Sequence, residues 1–331
     1  MNRITYSLAS NVSDAVHQIA AHDQARFIAG GTNLIDLMKI NVMKPDHLVD
    51  INKTGHDAIA ELPDGGLQLG ALATNADTAY HQLVRQQYPL LSDAMLSAAS
   101  AQLRNMATNG GNILQRTRCY YFYDTSTACN KRDPGSGCSA INGFNRMHAI
   151  LGTSANCIAV HPSDMAVALT ALDASVQLSS AQGARLIPIA DFHRLPGDHP
   201  ELDTNIQQNE MITGIILPAS SFHKHYAYLK LRDRPSYAFA LVSVAAALQL
   251  DENGVILHAR IAMGGVAHKP WRKPEAEALL QGKPASAENF RQAADVLLEG
   301  AKGYGHNDFK IELARRSVVR ALEQALNKNN S

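Results

Sequence analysis

The stretch from Arg104 to Cys157 constrains this chain most. It holds all four cysteines, Cys119, Cys129, Cys138 and Cys157, just behind a glycine-rich turn, Thr108-Asn109-Gly110-Gly111-Asn112. Phosphate-binding turns and clustered thiolates serve different chemistries. Their presence within about fifty residues of one another points to a redox site beside a nucleotide.

The cysteine spacing, C-x9-C-x8-C-x18-C, matches neither the paired CxxC of zinc ribbons nor the tight ferredoxin run. Spacing alone leaves open two structural disulfides, buried free thiols, or a metal or cluster site. The local context favours the last. Arg116, Arg118, Lys131 and Arg132 flank the thiols, and Pro134, Gly135 and Gly137 make the loop irregular. Nearby cations and free backbone N–H groups would stabilise an anionic all-thiolate cluster.

A second glycine segment lies upstream. Arg26-Phe27-Ile28-Ala29 reads as a strand, Gly30-Gly31-Thr32-Asn33 as a turn, and Leu34 to Lys39 as a helix start. Glycine reaches backbone angles closed to other residues, and successive N–H groups backed by a helix N-terminus favour an anion. Either segment alone is also what a plain tight turn looks like, whereas the two together favour a dinucleotide site. Neither has the G-x-G-x-x-G spacing, which argues against a Rossmann fold.

The totals exclude other classes. With 331 residues, the chain is long enough for two or three domains. Its formal net charge is zero and only 6% of residues are aromatic, so neither a nucleic-acid footprint nor a stacking platform is expected. No run approaches the roughly 20 apolar residues of a membrane span. Polar residues and Asp14 stand where a signal peptide needs an apolar core, so no export signal is expected; the chain could still travel folded with a signal-bearing partner. The fourteen histidines form no HExxH pair, His161 beside Pro162 and Asp164 being the one to watch. No G-x-S-x-G elbow or Ser-His-Asp order appears.

In order, the pattern predicts a strand at 3–8, a helix capped by Ser13, and strands at 47–51 and 67–72. Thr74 or Asn75 caps a short helix to about Gln82, and Pro89 starts a longer one towards Leu103. Ser163 or Asp164 caps an apolar helix over 165–174. A hairpin-like pair follows around Gln182-Gly183, then a strand at 210–218. After a boundary near 219–227, three strands of an antiparallel sheet are expected. Asp251-Glu252-Asn253-Gly254 turns between the last two, and helices follow over 274–281, 287–300 and 308–326. Lys230 and Arg232 would lie on a solvated strand edge, and the Asn-Lys-Asn-Asn-Ser end would be frayed.

Taken together, these residues resemble the FAD-binding (medium) subunit of the xanthine dehydrogenase family of molybdenum hydroxylases over essentially the whole chain. FIAGGTNLIDLMK is similar to the family's first pyrophosphate loop and RNMATNGGNI to its second. HPSDMAVAL, EMITGIILP and YLKLRDRPSYAFALVSVAAAL resemble later family segments in the right order. Most members lack the four-cysteine insertion. This one is similar to the flavin subunit of bacterial, periplasmic-type aldehyde oxidoreductases, where the four cysteines bind an extra [4Fe–4S] cluster.

The resemblance implies an α+β chain: a PCMH-type (vanillyl-alcohol-oxidase-like) FAD-binding fold in two subdomains, 1–55 and 56–222, with an iron–sulfur loop at 115–158. A C-terminal α+β domain would occupy 223–331. It implies that Ala29, Gly30, Gly31, Thr32, Asn33 and Leu34 wrap the FAD pyrophosphate, and that Thr108, Gly110, Gly111 and Asn112 hold it from the other side. Asp164 would accept from ribityl or adenosine hydroxyls. Ile216 and Leu217 would lie against the ring, and Lys230 would approach the isoalloxazine, where a cation stabilises reduced flavin. Cys119, Cys129, Cys138 and Cys157 would ligate [4Fe–4S].

The implied function is electron transfer. A large molybdenum-cofactor subunit would oxidise the aldehyde, and a small subunit with two [2Fe–2S] clusters would relay electrons to this FAD, which would pass them to an external acceptor. Four cysteines cannot also ligate two [2Fe–2S] centres, which need four each. The competing readings are a stand-alone FAD-dependent oxidoreductase and a nucleotide-binding scaffold with structural cysteines. The compartment would be periplasmic if the chain is exported with a partner, and otherwise cytoplasmic.

Overall fold

A computed structural model describes residues 3–328. Residues 329–331 of the expected frayed end lie outside the described residues. The chain opens with β1 (Thr5–Leu8), α1 (Val12–Ala20), β2 (Arg26–Ile28), α2 (Leu34–Lys39) and β3 (His47–Asp50). The strands form a parallel sheet in the order β1-β3-β2. Ala15 and Ile19 on the apolar stripe of α1 pack with Val49 beneath it. The cap of α1 is Asn11, whose side chain accepts from Asp14 N; Ser13 already lies inside the helix.

Next come β4 (Ile59–Glu61), β5 (Leu67–Gly70), α3 (Asn75–Tyr80), α4 (Gln82–Gln87), α5 (Pro89–Ser97), α6 (Ala101–Arg104), α7 (Asn109–Ile113) and α8 (Tyr120–Tyr123). They are followed by α9 (Asp164–Ala171), β6 (Ser175–Ser180), β7 (Gly183–Pro188), α10 (Ile189–Phe192) and β8 (Met211–Leu217). Five strands pair antiparallel in the order β4-β5-β8-β6-β7. The single helix expected from Pro89 towards Leu103 is broken. Ala99 takes a φ of 48°, and Ser100 caps a fresh turn by accepting from Leu103 N. The glycine segment at 108–112 is likewise the start of a helix, with Thr108 as its cap.

The C-terminal part is a three-stranded antiparallel sheet of β9 (His225–Leu231), β10 (Val242–Leu250) and β11 (Ile256–Gly264). Helices α11 (Pro274–Leu280), α12 (Ala287–Leu297) and α13 (Phe309–Asn327) back it. Val242, Val244, Ala246 and Leu248 of β10 pack towards those helices, while Ala245 and Ala247 join the core of the preceding part. A strand buried on both faces accounts for the unbroken apolar run in its sequence. Helix α9 is buried on every side and packs on α5, β10 and β11, which places its N-terminus between the two cores. No helix among the described residues is long and apolar enough to cross a membrane.

Candidate functional site

The two glycine segments meet. A Cβ built on Gly30 would lie 1.8 Å from the carbonyl oxygen of Met106, so the first segment rests directly on the backbone leading into the second. Gly31 has a φ of 68°, a conformation that favours glycine. Among the described residues no acceptor serves the main-chain N–H groups of Gly30, Gly31, Thr32 and Asn33, and Asn33 Nδ2 is buried without a partner. A run of unused donors ahead of a helix start is what an anionic group needs. Ala29 lends its carbonyl to Asn52 Nδ2, and half-buried Leu34 begins α2.

The second segment is held differently. The N–H groups of Asn109 and Gly110 already donate to Ala73 O and Ala71 O at 3.0 and 2.9 Å. Asn112 N returns to Thr108 O, and Gly111 N reaches Thr108 Oγ1 at 3.4 Å. Fully buried Asn109, which sequence reasoning passed over, anchors the segment through Gly70 O and Thr78 Oγ1. Asn112 receives Ser163 Oγ at 2.6 Å, which ties this segment to the cap of α9.

Ser163 and Asp164 lead into a cleft that His148, His161, Phe239 and Gly265 also line. Asp164 is spoken for on both oxygens: Tyr228 Oη donates to one at 2.7 Å and Lys230 Nζ to the other at 2.7 Å. Burial and the adjacent Asp164 push the Tyr228 phenol well above its ordinary value, so it stays a donor. Lys230 does not sit on a solvated edge. Although β9 is an edge strand, the side chain turns inward, is 4% exposed, and also reaches Ser97 O. Its neighbour Arg232 donates to the same carbonyl. Lys230 stands behind Asp164 and does not line the cleft.

Ile216 and Leu217 are not brought to the cleft. Leu217 is fully buried in the core opposite Leu67, and Ile216 pairs with Gln68. The β8 residue that touches the second glycine segment is Ile212, beside Gly110. Four residues of strand carry Ile216 roughly 13 Å further along. His161 is a buried packing residue, its ring edge-on to His193 and its Nε2 near Ile113 O. Burial holds it well below its ordinary value.

All four cysteines are free and line one pocket. This excludes the paired-disulfide reading in this structure. Cys129 and Cys138 oppose each other across an isolated antiparallel bridge. Burial pushes the Cys119 thiol up to about 12 and Cys157 up to about 11, so these two stay protonated when unassisted. A thiolate set in this cavity needs a cationic centre to displace those protons. Four cysteines from separate loop segments line this one pocket with no disulfide among them, while no group of three or more His, Cys, Asp or Glu side chains among the described residues is arranged to hold a single metal ion.

The expected cationic surround is only partly present. Arg132 serves the carbonyls of Tyr121, Phe122 and Thr127, and Arg118 lies over the Phe239 ring. Arg116 and Lys131 both clasp Asp203, at 2.8 and 2.5 Å. Burial alone would raise Asp203, but Lys131 and Arg116 outweigh it and hold the carboxyl far below its ordinary value. Of these cations only Lys131, 1% exposed, lines the cysteine cavity. Nor are the glycine N–H groups free, because Gly135 N and Gly137 N both donate to Asn130 Oδ1.

The cavity and the cleft share a wall. Thr117 and Cys119 line both. On the cleft side His148 Nε2 lies 3.0 Å from Cys119 Sγ. Sequence reasoning missed this contact, since one histidine among fourteen, 29 residues away, carries no local signal.

Comparison with known proteins agrees with this architecture. The family described as the FAD binding domain in molybdopterin dehydrogenase matches residues 2–220, and the CO dehydrogenase flavoprotein C-terminal domain matches 226–325. The chain is 48% identical to the FAD-binding subunit of an Escherichia coli aldehyde oxidoreductase, over 98% of this chain and 99% of that one. It is 30% identical to the glyceraldehyde dehydrogenase medium chain of Sulfolobus acidocaldarius, over 84% and 81%. Among solved structures, carbon monoxide dehydrogenase from Hydrogenophaga pseudoflava superposes with a TM-score of 0.77 at 26% identity, covering 99% of this chain and 98% of that one.

Proposed function

The chain belongs to the FAD-binding medium subunits of the molybdenum hydroxylases, and from that premise we propose that it is the flavin and [4Fe–4S] subunit of an aldehyde-oxidising complex. The observation that carries the reading is the shared wall: a cleft tied to the second glycine segment by Ser163 Oγ on Asn112, and a four-cysteine cavity, with Cys119 common to both linings. FAD would supply the two-electron chemistry. Gly30 to Leu34 would hold its pyrophosphate through the unused N–H groups, with Thr108 to Asn112 closing the site from the other side. Cys119, Cys129, Cys138 and Cys157 would ligate the cluster. The buried Asp164–Lys230 pair would act from behind the cleft, fixing the start of α9 and leaving a cation near the flavin without direct contact.

The domain division proposed is 1–55 and 56–222 for the FAD-binding part and 223–331 for the C-terminal part. The oxidising centre would reside on a large molybdenum-cofactor partner, with a small subunit carrying two [2Fe–2S] clusters delivering electrons. Kinship supports this division, the 48% identical relative being itself named a subunit. The test is the purified chain, free of partners, given an aromatic aldehyde and an artificial acceptor. No turnover is expected. Oxidation of the aldehyde by the lone chain would sink the assignment and restore the stand-alone oxidoreductase reading.

A further inference from the structure

We infer that His148 is a positioning residue for the cysteine cavity: it donates a hydrogen bond from Nε2 to Cys119 Sγ and thereby raises the reduction potential of the cluster bound there. The inference rests on the [4Fe–4S] reading above.

His148 Nε2 to Cys119 Sγ is 3.0 Å, and that sulfur is the only side-chain hydrogen-bond partner of the ring among the described residues, Nδ1 being buried beside the Asn145 backbone. A thiolate bound to iron carries no proton, so the proton of the bond has to come from Nε2.

The rest of the structure holds the imidazole in place. Two fully buried side chains of the C-terminal part grip its backbone. Asn307 Nδ2 donates to the carbonyls of His148 and Ala149, and Lys310 Nζ donates to His148 O at 2.8 Å and to Gly265 O. His148 N is fixed in turn on Asn145 O, and fully buried Asn145 donates to Tyr304 O. The donor is therefore oriented before any cluster arrives, and such preorganised outer contacts tune a metal site. No other side-chain donor reaches a cysteine sulfur among the described residues; Cys157 Sγ receives only the main-chain N–H of Ala159, at 3.4 Å.

The chemistry gives the sign. Reduction adds one electron to the cluster and its thiolates, with no bond made or broken and no proton moved. The extra negative charge is shared by the sulfurs, so an N–H aimed at one of them stabilises the reduced form more than the oxidised form.

The experiment is a potentiometric titration of the intact complex with dithionite and mediators. The [4Fe–4S] signal is followed by electron paramagnetic resonance in wild type, His148→Leu and His148→Gln, with iron and sulfide assayed in each. Leucine should lower the one-electron equilibrium constant for reduction roughly tenfold, which is about 59 mV. Glutamine, which keeps an N–H donor, should recover most of that. If leucine loses the cluster, glutamine holding it near the wild-type potential still supports the donor role. A leucine variant with full iron and an unmoved potential overturns the inference, as does loss of the cluster from both variants. Wild-type complex without this cluster signal would instead overturn the reading on which the inference stands.

Discussion

Replacing Gly30 with alanine would place a methyl carbon 1.8 Å from Met106 O and 2.7 Å from Met106 C. Both are backbone atoms, so no rotamer change can relieve the overlap and the two glycine segments must move apart. Overpacking of this kind typically costs about 1–3 kcal/mol, and a clash with main chain belongs at the upper end. If that cost falls on the geometry that closes around the pyrophosphate, FAD affinity drops by roughly 100-fold. Gly31→Ala is the contrast. Its Cβ presses on the flexible side chain of Ile35 and touches Ile28 Cδ1 at ordinary contact distance, and its main penalty is the left-handed φ of 68°, about 1–2 kcal/mol. The assay is FAD released on dilution, read by flavin fluorescence, for wild type and both variants. The expected order of retention is wild type, then Gly31→Ala, then Gly30→Ala. Equal retention by Gly30→Ala and wild type would refute the claim that apposition of these segments builds the flavin site.

Asp164→Ala would strand the Lys230 ammonium in a setting where both partners are 4% exposed. Loss of one member of such a pair costs about 3–5 kcal/mol, and pairing it with Lys230→Met should recover much of the thermal stability; a double variant no better than the single would contradict the pairing. Asp203, held below its ordinary value by Lys131 and Arg116, contributes stability that is present above the unfolded carboxylate value of about 3.9 and is lost as pH falls through the lowered folded value. Asp203→Asn should therefore flatten the acid limb of a plot of thermal midpoint against pH, and parallel curves for variant and wild type would reject that role.

The regular elements were legible because their signals are local. The apolar stripe of α1, the glycine turn before α2 and the turn at 251–254 each depend on residues a few positions apart. Glycine segments eighty residues apart could be suspected of meeting, but only the fold shows Gly30 resting on Met106. What the sequence could not show depends on long-range partners. Lys230 reads as a surface lysine until Asp164, 66 residues away, draws it inward. The glycines of the cysteine loop read as donors for an anion until Asn130 is seen to take both of their N–H groups. The strand residue beside the second glycine segment is Ile212, because register along β8 is set by its pairing with β5 and β6. The break of the helix after Ser97 turns on one left-handed alanine that no propensity scale would single out.

The central claim, that one chain carries both a flavin and a four-iron cluster on either side of one wall, is tested most directly by the absorption spectrum of the full purified chain beside Cys138→Ser. Flavin bands on a broad iron–sulfur shoulder are expected in the wild type, with bound iron and sulfide lost and the flavin bands kept in the variant. Flavin bands alone in the wild type, or zinc in place of iron, would contradict it.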